Sequence, residues 1–425
     1  MPDGPRAIVV VTGSELVRGA RQDLNGPFLA RELLELGLEP AEIVVVGDRP
    51  EELERVVAEA LEADLAVFSG GLGPTHDDRT VELIARAAGR ALVVDPELER
   101  EIEAVSRSVA ERLSRPYADF VGGVTKQASL PDGAVALGLA GTAPALLLEQ
   151  DGRVVVALPG PPGELRRLWP NVLAHEAFRR LVERARPRSH RVLRFFGPSE
   201  SAVARALDES GGDGEGAEVT VCARDLEIHV DIFVAPGGER RAVALEAELL
   251  GRFGHQLFAE DERPVEELVL ELCRARGLTL ATAESCTGGL VGARLTSVGG
   301  ASDVYAGGIV AYANAVKSAQ LAVPEELLER HGAVSAEVVE AMARGVRAEL
   351  GADVSVAVTG VAGPTGGTRE KPVGLVFLHA VSPDGDLAQR LELPGDREAI
   401  RTRAAVTALH LLRRLLARSG TDSCD

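Results

Sequence analysis

Short runs of small and branched aliphatic residues, each closed by a glycine turn and followed by an amphipathic stretch, recur along most of this chain. The first seventy residues read AIVVVTG, NGPFLARELLELG, AEIVVVGD, PEELERVVAEALEA and DLAVFSGG in that order. Strand-like runs alternating with helix-like stretches predict an α/β layer structure with a mostly parallel sheet. The alternation holds over 1–172 and gives way to the Arg-rich helical stretch HEAFRRLVERARPRSH. Two strand-like pieces, HRVLRFFG and LEIHVDIFVAP, then flank the acidic, glycine-rich ESGGDGEGAE, so 186–258 reads as a small α+β module with a flexible loop. From residue 262 to 418 the α/β pattern returns, with strands expected in LTLATAES, GGIVAY, DVSVAVTG and VGLVFLHAV. The final RSGTDSCD is expected to be disordered. Two or three domains suit 425 residues, because single cores stop growing well below that length.

Composition removes several function classes. Aromatic residues make up 3% and the net charge is -19, which argues against stacking platforms and polyanion binding, so no nucleic acid is expected. The apolar stretch near the N-terminus is too short for a signal peptide, and no 18-residue apolar run occurs, so a cytoplasmic chain with no membrane partner is expected. Cys222, Cys273, Cys286 and Cys424 show no C-x-x-C spacing and suggest neither a disulfide framework nor a zinc site. Of 46 Lys+Arg, only Lys126, Lys317 and Lys371 are lysine, so each marks a place where arginine does not serve.

Chemistry concentrates in the loops after strands. In SGGLGPTHDDRT, Gly70, Gly71 and Gly73 allow close backbone approach to an anion, with the following helix N-terminus aimed at the same space. Asp77 and Asp78 stand where a hard divalent cation bridges to phosphate; the alternative is that they cap the helix. Gly160 and Gly163 repeat the strand–turn–helix logic, and Glu15, Asp23 and Asn25 fall near the ends of early strands, where open α/β sheets hold ligands.

In the last domain, TAESCTGGL places Ser285, Cys286 and Thr287 before Gly288 and Gly289 at a strand-to-helix junction. Ser and Thr there are N-cap types, and the same turn suits a nucleophile with backbone N–H groups for an oxyanion; both readings can hold together. A serine needs a base, and His331 and His379 lie outside the motifs. Lys317, five residues after Tyr312, is the better base, because a desolvated lysine loses its proton and arginine does not. Thr359, Gly360 and Gly363 in TGVAGPTGG suit a phosphate or ribose. Arg369, Glu370 and Lys371 beside them are either substrate contacts or a solvated charged loop.

The segments TGSEL, Asp23 with Asn25, SGGLGPTHDD, KQASLP and LPGPPGE resemble the molybdopterin-binding-like domain of the CinA (competence/damage-inducible) family. ESCTGG, YANAVK and TGVAGPTGG resemble the nicotinamide mononucleotide deamidase domain of the same family. The resemblance implies a three-layer α/β domain over 1–172, a KH-like module over 186–258 and an α/β deamidase domain over 262–418. It implies metal-dependent hydrolysis of ADP-ribose in the first, with Asp77, Asp78 and Asp23 holding Mg, Mn or Co, and Glu15, Asn25, Gly70, Gly71, Gly73 and Gly160 on the nucleotide. In the last it implies Ser285 as nucleophile, Lys317 as base and Tyr312 as assisting hydroxyl, without a cofactor. Thr287, Gly288, Gly289, Thr359, Gly360, Gly363 and Arg369 would surround the substrate, and Cys286 would pack or tune. A homodimer acting on small nucleotides is implied. Leu24 stands where the family often has Thr, and Ala145 where it often has Gly. An added methyl group crowds a close-approach site, which keeps open a first domain that binds, for instance a pterin phosphate, without turnover.

Overall fold

The computed structural model describes residues 4–185 and 188–418. The expected domain start at 186 and the expected disorder after Arg418, with Cys424, lie outside the described residues. The fold is mixed α/β, as expected, and the chain divides after Arg188 into two compact units.

The first unit is built on a six-stranded sheet in the order β2-β1-β3-β8-β7-β6. Its strands are β1 Ala7–Thr12, β2 Pro40–Val46, β3 Leu65–Ser69, β6 Val135–Leu139, β7 Pro144–Gln150 and β8 Arg153–Leu158. A separate ribbon pairs β4 Leu92–Val94 with β5 Ser129–Pro131. The pairs β1/β2, β1/β3 and β3/β8 are parallel, while β8/β7 and β7/β6 are antiparallel. Successive residues of a strand face opposite sides, and here both sides are cores. Ile8 and Val10 enter one with Leu53, Val57 and Leu83; Ala7, Val9 and Val11 enter the other with Leu29, Leu33 and Trp169. That is why AIVVVTG is apolar without alternation.

The second unit begins with the antiparallel sheet β10-β11-β9-β12, made of β9 Ser189–Phe196, β10 Ala217–Arg224, β11 Glu227–Val234 and β12 Leu257–Ala259. The helices Glu200–Glu209 and Glu239–Phe253 complete a β-α-β-β-α-β order, the split βαβ arrangement. A five-stranded sheet follows, β14-β13-β15-β16-β17, with β13 Leu280–Glu284, β14 Tyr305–Val310, β15 Val354–Gly360, β16 Leu375–Ser382 and β17 Gly385–Glu392. β13, second from the edge, runs parallel to both neighbours, and β16 and β17 extend the sheet antiparallel. One face packs on the helices Val265–Ala275 and Arg397–Arg418, the other on Ala336–Glu349.

Several elements exceed the sequence reading. β10 and β17 are edge strands in which residues of one face stay exposed, so their apolar content is half that of a central strand. The helices Asn314–Leu321 and Glu325–His331 hid in a segment whose motifs drew the attention, and ESGGDGEGAE shrinks to a turn between a helix and β10. Among the described residues no helix is long and apolar enough to cross a membrane.

Candidate functional site

Two sites emerge, one in each unit. In the first, the C-terminal ends of β1, β3 and β8 open into a cavity of about 610 Å3, within the usual range for small-ligand sites. Glu15, Asp23, Asn25, Gly70, Gly71, Gly73, Asp77, Asp78 and Gly160 all line it. Asn25 ties its walls together, its amide nitrogen donating to Ser69 Oγ at 2.9 Å and to the Gly160 carbonyl at 2.7 Å. Its Oδ1 is buried without a partner. Gly71 has φ +69°, and a Cβ there would stand 2.1 Å from Thr80 Oγ1, so only glycine brings the loop this close to the helix Thr80–Ala87.

Asp77 and Asp78 do not cap that helix, whose first turn has no side-chain cap. Both carboxylates instead accept from the Thr75 hydroxyl, and Asp78 accepts from the Thr75 N–H at 3.0 Å. The Thr75 hydrogen bond holds the Asp77 carboxyl below its ordinary value. Lys126 Nζ donates to the Thr75 carbonyl and fixes the same turn. Asp23 is the residue that caps: its Oδ1 accepts from the N–H groups of Asn25 at 2.8 Å and Gly26 at 3.1 Å, opening the helix Asn25–Glu35. Among the described residues, sets of three metal-type donors converge only at His190–Asp231–Glu262 and Glu340–His379–Asp386, outside this cavity. Asp77 and Asp78 supply two carboxylates to the cavity wall, the donor type that a hard cation takes, and leave the rest of such a shell to water and phosphate. Glu164, unnoticed inside the LPGPPGE motif, also lines the cavity, and burial raises its carboxyl pKa. Ala145 is fully buried in the core and is absent from the lining, so its methyl does not crowd the cavity; Leu24 does line it and is exposed.

In the second unit Ser285 follows β13 directly, its N–H donating to the Val358 carbonyl of β15 at 2.9 Å. Lys317, in the helix Asn314–Leu321 after β14, is 1% exposed, and its Nζ lies 3.1 Å from Ser285 Oγ. The carbonyls of Ala311 at 2.7 Å and Tyr312 at 3.1 Å complete its surroundings. Burial lowers the lysine pKa. Cys286 is also buried, and burial pushes its thiol up to about 12, far from a thiolate at neutral pH.

The cap of the following helix is neither Ser285 nor Thr287. It is Glu284, 2% exposed, whose carboxylate accepts from the N–H groups of Gly289 at 2.9 Å, Val291 at 3.1 Å and Gly292 at 2.8 Å. Gly289 N–H is thereby consumed, and Gly288 N–H closes the turn onto the Ser285 carbonyl at 3.1 Å. Of the turn's amides, those of Cys286 and Thr287 make no hydrogen bond to an oxygen among the described residues, and both support the Cys286 sulfur. Arg401 fixes the same turn from its other side, donating to the Cys286 carbonyl at 3.2 Å and the Thr287 carbonyl at 2.8 Å.

Thr359 and Gly360 end β15 beside Ser285, and the Thr359 hydroxyl donates to the Ala333 carbonyl at 2.8 Å. Arg397 joins two loops, donating to the Gly363 carbonyl at 2.6 Å and the Tyr312 hydroxyl at 3.3 Å. Tyr312 is 62% exposed, and its hydroxyl bonds neither Ser285 nor Lys317; its carbonyl holds the lysine instead. Arg369 is exposed and makes no side-chain bond among the described residues, whereas Lys371 Nζ donates to the His331 carbonyl at 2.6 Å.

Similarity along the whole length decides the family. A CinA-like protein of Mycolicibacterium paratuberculosis is 43% identical over 435 residues, which cover 98% of this chain and 99% of that protein. The chain belongs to the CinA-like proteins. A CinA-like protein of Mycobacterium tuberculosis is 42% identical over 424 residues, covering 97% of each. Residues 8–179 match the model of a probable molybdopterin binding domain, and residues 262–416 match that of the CinA C-terminal domain. Among solved structures, a competence/damage inducible protein from Agrobacterium tumefaciens is 39% identical over 37% of this chain and 99% of its own, with a TM-score of 0.35.

Sequence reading missed Glu284, Arg397 and Arg401 in this CinA-like chain. The two arginines share a helix face at i, i+4, a spacing visible in REAIR. Replacing Glu284 by Gln removes the charge from three backbone hydrogen bonds and sets an amide against an N–H. The expected cost is on the order of 1–3 kcal/mol, local to the turn. Hydrogen exchange at Gly289, Val291 and Gly292 should accelerate roughly tenfold or more, while amides of β16 keep their protection.

Proposed function

We propose that this CinA-like protein is a hydrolase with two sites, one that deamidates nicotinamide mononucleotide and one that cleaves the pyrophosphate of ADP-ribose. The observation that carries the first activity is the buried contact between Lys317 Nζ and Ser285 Oγ at 3.1 Å. A neutral amine has two N–H donors and one lone pair. Lys317 meets two carbonyl oxygens and one hydroxyl, a set that the neutral amine satisfies in full. No carboxylate pairs with it among the described residues, so burial disfavours the ammonium form.

Ser285 Oγ attacks the carboxamide carbon as Lys317 takes its proton. Lys317 returns the proton to the departing nitrogen, ammonia leaves, and an acyl ester remains on Ser285. Lys317 then deprotonates water, which attacks the ester and releases the acid with Ser285 restored. Arg401 and Glu284 hold the turn; Arg397 holds the Tyr312 and Gly363 loops against each other.

In the first unit a divalent cation held by Asp77 and Asp78 would supply charge to the pyrophosphate. Asn25 and the glycine loop position the nucleotide, and Glu164, whose carboxyl pKa burial raises, lines the same cavity. The match of residues 8–179 to a molybdopterin-binding model favours a second reading of this cavity, binding of a pterin phosphate without turnover.

Three outcomes test these readings. Ser285→Ala should reduce ammonia release from nicotinamide mononucleotide to background, and Cys286→Ala should leave most of it; the reverse ranking assigns the nucleophile to the thiol. Lys317→Arg keeps a cation that does not deprotonate near neutral pH, so kcat should fall by about 10²–10⁴. The parent rate should rise with pH as the depressed lysine loses its proton and level off below the ordinary lysine range. Stability has the same sign: the unfolded chain binds the extra proton, so this lysine's contribution grows with pH up to about 10.4. A rate insensitive to Lys317→Arg overturns the mechanism.

Chelation should abolish ADP-ribose cleavage and spare deamidation, and Asp77→Ala or Asp78→Ala should do the same. Equal loss of both activities contradicts separate sites. Pterin binding without ADP-ribose cleavage selects the second reading.

A further inference from the structure

A second cavity in the C-terminal unit belongs to neither site. About 240 Å3 in volume, it lies where the strands β9, β10, β11 and β12 meet the helices Val265–Ala275, Leu290–Thr296 and Arg397–Arg418. Its wall bears four guanidinium groups, from Arg194, Arg224, Arg263 and Arg294. Four carboxylates face them, from Asp225, Glu227, Glu262 and Glu266.

Most of these charges are already engaged. Arg194 binds Asp231 at 2.9 Å, Arg263 binds Asp261 and Glu271 at 2.6 Å each, and Arg294 binds Glu266 at 2.9 Å. Glu227 is shared between His410 at 2.7 Å and His229 at 3.1 Å. What remains has both signs. Arg224, Asp225 and Glu262 make no side-chain hydrogen bond or ion pair among the described residues, and Arg294 Nε is buried without a partner. An unsatisfied buried donor is rare enough to need an explanation, and an anionic oxygen would satisfy it.

Arg224 and Glu227 are paired across a two-residue hairpin turn, in which Asp225 has φ +51° and Leu226 φ +74°, the type I′ geometry that such a hairpin requires. This tip presents Arg224 and Asp225 to the cavity.

We propose that this cavity is an effector site for a small zwitterion of the α-amino acid class, whose occupancy tunes hydrolysis at Ser285. The ligand carboxylate bonds Arg224 and Arg294, its ammonium bonds Glu262 and Asp225, and Phe258 and Pro264 receive an apolar portion. Equal numbers of guanidinium and carboxylate groups disfavour a bare anion. The volume is below the roughly 300–1,000 Å3 of sites for larger ligands, which excludes a dinucleotide. The coupling route is short. Arg294 lies on the helix that Glu284 caps, five residues past Gly289, and Val406 lies five residues past Arg401, which holds the nucleophile turn. Five residues of helix span roughly 7–8 Å. The coupling rests on the deamidase reading; the binding does not.

The test is calorimetric titration of the full chain with the common α-amino acids and, separately, with inorganic phosphate. At least one amino acid should bind saturably at one site. Arg224→Ala and Glu262→Gln should each weaken it about tenfold or more, and Ser285→Ala should bind it unchanged. In the parent, a saturating amino acid should shift kcat or KM for nicotinamide mononucleotide about fivefold, and neither surface variant should respond, with their basal rates intact. The site is overturned if no amino acid binds, if phosphate binds as tightly, or if both variants bind like the parent. Binding that leaves an active parent's rate unchanged overturns the coupling alone. A parent that releases no ammonia overturns the deamidase reading and the coupling with it, and calorimetry still decides the site.

Discussion

The C-terminal site depends on one buried carboxylate. Glu284 ends β13, and its two oxygens take the N–H groups of Gly289, Val291 and Gly292, which a helix start otherwise leaves unpaired. The positive end of the helix favours that charge by about 0.3–2 kcal/mol. Binding three amides ahead forces residues 285–288 into a closed turn, so Ser285 leaves the strand while still bonded to Val358. It also turns the Cys286 and Thr287 carbonyls toward Arg401. A further consequence concerns the lysine. The carboxylate adjacent in sequence to Ser285 is saturated by backbone amides and makes no ion pair with Lys317, so burial remains the larger influence on the lysine and lowers its pKa.

Both units place their sites by the same topological logic without sharing a repeat. In the first sheet β1 has β2 on one side and β3 on the other; in the last, β13 has β14 on one side and β15 on the other. The strand order thus reverses about β1 and about β13, and the loops on either side of that point diverge to open a crevice at the strands' C-terminal ends. Thr12, Ser69 and Gly160 line that crevice in the first unit, at the ends of β1, β3 and β8. Ser285, Lys317 and Thr359 stand after β13, after β14 and in the last turn of β15. The two crevices differ in what fills them. The first holds open space walled by glycines and carboxylates, whereas in the second the lysine stem itself is buried.

Strands with two buried faces were legible because they read as unbroken apolar runs, and the glycine loops because a close turn needs them. Edge strands were less so. GDLAQRLE carries Leu387 and Leu391 inward but Asp386, Arg390 and Glu392 outward, and its short charged pattern hides it although Pro383-Asp384-Gly385 marks the turn before it. Face assignment also needed coordinates. Ala145, read against a family glycine, suggests a methyl in the ligand site, yet the two-residue period of β7 sends it with Leu147 into one core and Leu146 with Leu148 into the other. The Ser285–Lys317 pairing was open to sequence reasoning because the residue types demand each other. Glu284 was not, since a glutamate at a strand end looks like a solvated terminus, and its burial depends on amides that exist only once the helix forms.

Lysine scarcity carries the argument one step further. The chain has three lysines, and each places its Nζ on backbone carbonyls within the loops of a candidate site. Lys126 bonds the Thr75 carbonyl in the aspartate turn, Lys317 the Ala311 and Tyr312 carbonyls, and Lys371 the His331 carbonyl from the loop that carries Arg369. A compact tetrahedral head can enter such a carbonyl nest at the end of a slender stem. A planar guanidinium needs a wider slot and acceptors in its own plane. Two of the three lysines are therefore explained by shape alone, Lys126 and Lys371, which touch no group whose proton must move. Lys317 differs in having a hydroxyl as its third neighbour and in being buried to 1% exposure. Shape selects lysine at all three positions, and at Lys317 burial also favours losing the proton.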